Sequence, residues 1–228
     1  MGSPARQIRE PGCFSGFFKK LGGRYKRIRK RVKGRPCPSL YQDRLERLAV
    51  LEQLAARGQL DLFYGDESRV CSEGYVPYGW QFPGEDVCVL AQKGDHINCF
   101  GLISRQNQCQ WATTTGTLTA QFVLTHLETM SCSLIRETVV VLDCARIHTG
   151  KLIQERLACW QARGLFVFFL PPYSPHLNLA ETLWRKLKGE WLQPDDYPEQ
   201  DRLLYAVNRC LANVGRELTI NFSPFNLK

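Results

Sequence analysis

The spacing of apolar positions changes several times along this 228-residue chain. "SLYQDRLERLAVLEQLAARGQ" (39–59) repeats leucine at helical spacing and stops near Gly58, which predicts an amphipathic helix. "LDLFYGDE" (60–67) predicts a short apolar strand ending in acids, and "YVPYGWQFPGED" (75–86) has the glycine and proline of a loop. "VCVLAQ" (87–92) and "HINCFGLIS" (96–104) predict two strands joined by the turn "KGD", hence antiparallel neighbours. "TAQFVLTHLETM" (119–130) predicts a helix. "TVVVLD" (138–143) is a continuous β-branched run of the kind found in strands buried on both faces. A helix over 149–164 closed by Gly164, a second buried strand "LFVFFLP" (165–171), and helices over 179–191 and 199–215 follow. After the leading helix the order is three strands, helix, strand, helix, strand and two helices, with no internal repeat. That order predicts an α/β fold, a mixed five-stranded sheet flanked by helices.

Hydrophobic residues make up 44% of the chain and charged residues 23%, an ordinary globular composition. No run approaches the roughly 18 apolar residues of a membrane span, and no signal-peptide pattern opens the chain, so no membrane partner is expected. The ten cysteines are scattered singly with no CxxC pair, which argues against a zinc finger and for reduced thiols in a cytoplasmic compartment. The net charge of +8 is uneven: residues 1–50 carry 14 Lys and Arg against 3 Asp and Glu. Ten of those cations, Lys19, Lys20, Arg24, Lys26, Arg27, Arg29, Lys30, Arg31, Lys33 and Arg35, fall in one stretch without an acid. Such a block is either a solvated or targeting tail or, the reading preferred here, an arm that neutralises nucleic-acid phosphates.

Candidate chemistry lies at the ends of the predicted elements, where mixed sheets bind ligands. Asp66 ends or interrupts the first strand, Asp143 follows "VVVL" directly, and Glu181 opens the helix after the last strand. Each has a structural alternative. Asp66 can be a turn residue, Asp143 a cap, and Glu181 the third residue of a capping box begun by Asn178. Taken together, three carboxylates converging on one sheet repel one another unless a cation lies between them. Hard divalent ions with oxygen ligands, Mg²⁺ or Mn²⁺, fill that need, and two of them about 3.5–4 Å apart clamp a phosphodiester displacement. Glu67 alternates to the other side of the strand and is left out of the site. Glu181, Trp184 and Lys188 share one helical face; Lys188 suits a phosphate and Trp184 the core.

"DLFYGDES", "VVVLDCARIH" and "LPPYSPHLNLAETLW" resemble the three signature blocks of DDE transposases, specifically the bacterial insertion-sequence branch of the mariner superfamily. "YVPYGWQFPG" resembles the segment that follows the first Asp there. The likeness runs from about residue 24 to near the C-terminus, and 37 residues separate the last two acids, close to the mid-thirties of that superfamily. The resemblance implies a ribonuclease H-like fold, with Asp66, Asp143 and Glu181 as catalytic metal ligands for two Mg²⁺ or Mn²⁺ ions. It implies a supporting role near DNA for His148. Cys144 departs from the pattern, since members usually carry Asn after the second Asp.

The implied reaction is cleavage of double-stranded DNA at element ends and strand transfer into target DNA, by a homodimer that synapses two ends in the bacterial cytoplasm, associated with the nucleoid. Members carry helix-turn-helix modules ahead of the catalytic domain. Residues 1–59 therefore read as a basic arm and linker helix, a remnant of the DNA-binding region, and 60–228 as the catalytic domain. Two alternatives stand beside this reading: a nuclease or resolvase on the same fold, and a remnant that only binds DNA.

Overall fold

Residues 37–71 and 96–225 are described by the computed structural model. The leucine-spaced segment forms helix α1 (Pro38–Ala56), entered through Pro38, where a missing N–H costs nothing, and closed at Gly58 with φ 70°. Strand β1 (Asp61–Cys71) follows and continues well past the acids that the sequence places at its end. Beside it lie β2 (His96–Ile103) and β3 (Cys109–Thr114). Helix α2 (Ala120–Ser131) starts at Thr119, whose hydroxyl accepts from Phe122 N–H at 3.3 Å. Then come β4 (Thr138–Leu142), the single turn α3 (Arg146–Thr149), α4 (Lys151–Ala162) and β5 (Leu165–Phe169). After a 3₁₀ turn at Pro175–Leu177, helix α5 (Ala180–Lys186) runs into a π-turn at Leu187–Trp191. Helix α6 (Gln200–Ala212) is the last.

The sheet has the order β3-β2-β1-β4-β5. β1 pairs antiparallel with β2 and parallel with β4, and β5 extends the parallel half. This is the mixed five-stranded α/β sheet that the residue pattern predicts. One strand differs: β3 comes from "CQWATT", which carries no period-2 signal because all six of its residues are half-buried. The predicted strand 87–92 and loop 75–86 lie outside the described residues.

Alternation along the strands sends side chains to two separate cores. On one face Leu62, Tyr64, Ile97, Cys99, Ile103, Val139 and Val141 pack with Leu48 of α1, Leu183 and Trp184 of α5, and Leu203 and Val207 of α6. On the other, Phe63, Phe100, Leu102, Val140 and Leu142 pack with Val123 and Leu127 of α2 and Ile153 and Trp160 of α4. β4 is buried at all five positions, as its β-branched run requires. Helix α1 joins the first core and is pinned by a buried acid. Tyr64 Oη donates to Glu52, whose other oxygen is 2.6 Å from Arg105 Nε. Burial and the Glu52 charge push the Tyr64 phenol well above its usual range.

Candidate active site

β4 and β1 run parallel, with Tyr64 beside Val141 as the last paired residues. Beyond that pair the ladder ends: Asp66 lies two residues further along β1 and Asp143 directly follows the last residue of β4, near enough for its charge to act on the Asp66 carboxyl. Of the two expectations for Asp66, that it ends or that it interrupts the first strand, the first does not hold: β1 runs on to Cys71, and Asp66 lies mid-strand just past the last residue paired with β4. The preceding residue must be glycine. A Cβ at Gly65 would lie 2.6 Å from Leu142 Cδ2 and 2.7 Å from Leu102 Cδ2.

Glu181 is brought in by the proline-rich connector. Asn178, buried in the connector, donates from Nδ2 to Gly65 O at 2.9 Å and accepts from Ala180 N–H at 3.1 Å. It therefore fastens the start of α5 to β1 one residue before Asp66. The capping box expected between Asn178 and Glu181 does not form. The N-cap residue is Leu179, and Asn178 N–H donates to Pro175 O. Further along α5, Trp184 packs against β2 at Gly101. A Cβ at Gly101, the register partner of Asp66, would meet its ring at 2.6 Å. Trp184 is accordingly core, 3% exposed, with its indole Nε1 buried and unbonded.

Asp66 senses the neighbouring acids. Burial, then the charges of Glu67, Glu181 and Asp143, raise the Asp66 carboxyl to about 7. Asp143 goes the other way. Its hydrogen bond to His148 and one from Ala145 N–H hold it below the usual carboxylate range, against burial. Both bonds fall on Oδ1, at 2.8 and 2.9 Å, and Oδ2 has no hydrogen-bond partner among the described residues. His148 is wholly buried, with Nδ1 on Asp143 and Nε2 2.5 Å from Glu67 Oε1. Burial alone would depress the imidazole, but the two carboxylates raise it to about 9.

Alternation along β1 turns Glu67 away from Asp66. It does face the opposite side, across from Phe100. The turn α3 carries His148 beneath the sheet, and the imidazole joins Glu67 to Asp143. No period in the sequence announces this, although the neighbouring pair "DE" and the His five residues after Asp143 were its visible parts.

Cys144 replaces the family's asparagine yet still makes an anchor. Its thiol donates to Leu170 O at 3.1 Å, while Leu170 N–H donates to Leu142 O at 2.8 Å. The ends of β4 and β5 are tied on both sides of Asp143. Lys188 belongs to the π-turn, half-buried, and its charge acts on the Cys99 thiol on the Asp66 face of the sheet. Arg44 of α1, which sequence reasoning did not single out, stands over the Phe168 ring at 5.4 Å and acts on the Cys144 thiol. Lys19, Lys20, Arg24, Lys26, Arg27, Arg29, Lys30, Arg31, Lys33 and Arg35 lie outside the described residues.

Among the described residues no three His, Cys, Asp or Glu side chains form a closed metal-holding group. The fit to a hard cation is one of donor chemistry and charge: carboxylate oxygens only, one of them without a hydrogen-bond partner among the described residues, and an Asp66 whose ionisation is opposed by its neighbours.

Comparison with known proteins gives the family and the fold. The family described as DDE superfamily endonuclease matches residues 61–204, which span all three acids. No curated protein matches the chain in sequence. Among solved structures, the crystal structure of the mariner Mos1 paired end complex with Mg is 14% identical, at a TM-score of 0.56, over 87% of this chain and 62% of that one. The crystal structure of the Mos1 strand transfer complex is 14% identical, at a TM-score of 0.55, over 87% and 61%. The chain thus spans about three-fifths of the length of the structures it matches. At this identity the likeness establishes the fold, which is the ribonuclease H-like one that the three blocks implied. The chain belongs to the DDE superfamily endonucleases.

Proposed function

We propose that this chain is the catalytic domain of a transposase of the bacterial insertion-sequence branch of the mariner superfamily. In this reading it cleaves DNA at element ends and transfers the freed strand into target DNA. The observation that supports it is that Asp143 and Glu181 both stand close enough to oppose the ionisation of the buried Asp66 carboxyl. Asp66, Asp143 and Glu181 would hold two Mg²⁺ or Mn²⁺ ions. When bound, such ions supply an activated water and neutralise charge on the phosphate.

The protein's own part is placement. Asn178 sets the approach of Glu181, and His148 with Ala145 N–H fixes Asp143. Lys188 and Arg44 bring positive charge to opposite flanks of the acids, where a DNA backbone would run. In the first step water adds to phosphorus and the P–O3′ bond breaks, leaving a 3′-hydroxyl. In the second that hydroxyl attacks a target phosphodiester, and a new P–O bond replaces the old one. The cations of 19–35 would hold the duplex through its phosphates, and a homodimer would bring two ends together. Neighbours crystallised as paired end and strand transfer complexes support this reading.

The test is incubation of the chain with labelled element-end and target duplexes in Mg²⁺ or Mn²⁺, beside Asp66→Asn and Asp143→Asn. Cleaved and joined products from the parent and none from either variant are expected. Cleavage without joined products would leave a nuclease on the same fold. Binding without cleavage in either metal would leave a DNA-binding remnant.

A further inference from the structure

Glu67 has no part in the reaction just proposed, yet its carboxylate is spent inside the protein rather than in solvent. Its Oε1 is buried and lies 2.5 Å from the buried Nε2 of His148, an ion-pair contact without the geometry of a directed hydrogen bond, and neither atom has another polar partner among the described residues. The imidazole between Glu67 and Asp143 is 0% exposed and rests against Phe100, with ring centroids 6.2 Å apart. The opposite nitrogen, Nδ1, is 2.8 Å from Asp143 Oδ1. Carboxylate, imidazole and carboxylate thus form one chain that runs from the α2 face of the sheet to the reacting face.

Asp143 needs such a hold. β4 ends at Leu142, so the acid sits one residue beyond the last ladder position. Its aim is set by what bonds Oδ1. An imidazole attached only through Nδ1 can pivot about that bond. A carboxylate in contact with Nε2 on the far side of the ring opposes that pivot. With Oδ1 held by Ala145 N–H and by a ring so braced, Oδ2 is the oxygen left to face phosphate and cation.

We propose that Glu67 is a positioning residue: acting through His148, it holds Asp143 with Oδ2 presented to the reacting face. Adjacent residues of β1 then serve one site from opposite faces, Asp66 directly and Glu67 through the imidazole. The proposal rests on the function proposed above, because it assigns Asp143 to the reacting centre. Outer partners of this kind contribute about 10–100-fold to metal affinity or activity.

The experiment uses the full chain with Glu67→Ala, Glu67→Met (which keeps volume and removes the acceptor), Glu67→Gln (which keeps an acceptor for Nε2–H), His148→Ala, and the Glu67→Met/His148→Ala pair. Mn²⁺ affinity is measured by titration calorimetry, kcat and KM on an element-end duplex by cleavage, and folding by thermal melting. Whichever of the Ala and Met variants keeps the parental melting behaviour should lose about tenfold or more in Mn²⁺ affinity and kcat, with KM for DNA within about twofold. Glu67→Gln should regain most of that loss. The double variant should be no worse than His148→Ala alone, since both act through one path. Parental Mn²⁺ affinity and kcat in Glu67→Met overturn the proposal, as does a Gln variant no better than Met, or a double variant whose losses multiply. A parent that binds no Mn²⁺ and cuts no DNA overturns the proposed function as well. A parent that does both while Glu67→Met matches it removes only the role of Glu67.

Discussion

Asp66 and His148 give the site a pH signature of its own. In the folded chain Asp66 titrates near 7 instead of 3.8, so folding favours its neutral form. That contribution to stability is complete below pH 3.8 and is lost as the pH rises through about 7. His148, raised from 6.5 to about 9, contributes below 6.5 and loses its contribution as the pH rises through about 9. Without metal, thermal stability should therefore decline across the acid-to-neutral range and again towards pH 9. A divalent cation that holds Asp66 ionised should remove the first decline. The rise in melting temperature on adding Mn²⁺ should grow up to about pH 7 and then level off; a rise independent of pH would place the ion elsewhere. Cys144 supports a second, smaller prediction. Losing the bond from its thiol to Leu170 O should cost Cys144→Ala about 1 kcal/mol, read by denaturant unfolding. Cys144→Asn, with an amide able to make that bond, should keep parental stability.

At the scale of elements, the start of α5 decides where Glu181 stands, and two contacts decide where α5 starts. Asn178 bonds Gly65 O and Ala180 N–H, both buried, so Asn178→Ala leaves an acceptor and a donor unmet. A loss of about 1–3 kcal/mol is expected, together with a fall in kcat larger than any change in KM for DNA. Gly101→Ala should act from the other side. Its Cβ would displace the Trp184 ring, tilt α5 and cost about 1–3 kcal/mol, measured by unfolding in urea. These contacts also explain what the sequence could and could not convey. The parallel strands are legible because β4 and β5 are continuous apolar runs, the first ending abruptly in Asp143 and the second in the prolines after Leu170. The clamp by Asn178 is not, because an Asn three residues before a Glu reads as a cap. The π-turn is hidden too, since the apolar period of 179–191 passes through it unbroken. β3 escaped because an edge strand half-buried at every position has no alternation to read. Glu67 escaped because period 2 reports which face a side chain takes, and cannot report that a later turn will bring an imidazole to meet it there.

For the whole molecule, the place of the basic run in the sequence, ahead of α1, makes the last prediction. Residues Arg35–Lys228 form one compact unit, and α1 lies within it, with Leu48 in the first core and Glu52 bonded to Tyr64 and Arg105. The ten cations of 19–35 precede that helix. Removing residues 1–35 should therefore leave the melting temperature nearly unchanged. Removal through residue 59 should destabilise the chain strongly, by stripping Leu48 from the core and leaving Arg105 without its acid. DNA binding should respond in the opposite order. Each phosphate neutralised contributes about −0.9 to the slope of log K against log salt, so the parent should bind tightly at low salt and weaken steeply. The chain lacking 1–35 should show a flatter slope by about that amount for every arm cation that meets a phosphate. Phosphate contacts carry no sequence information, so the loss should be equal for an element end and a random duplex. Competition binding at near-physiological salt tests this. If removing 1–35 weakens binding to an element end tenfold more than to random duplex, the arm reads bases, and its cations do more than neutralise the backbone.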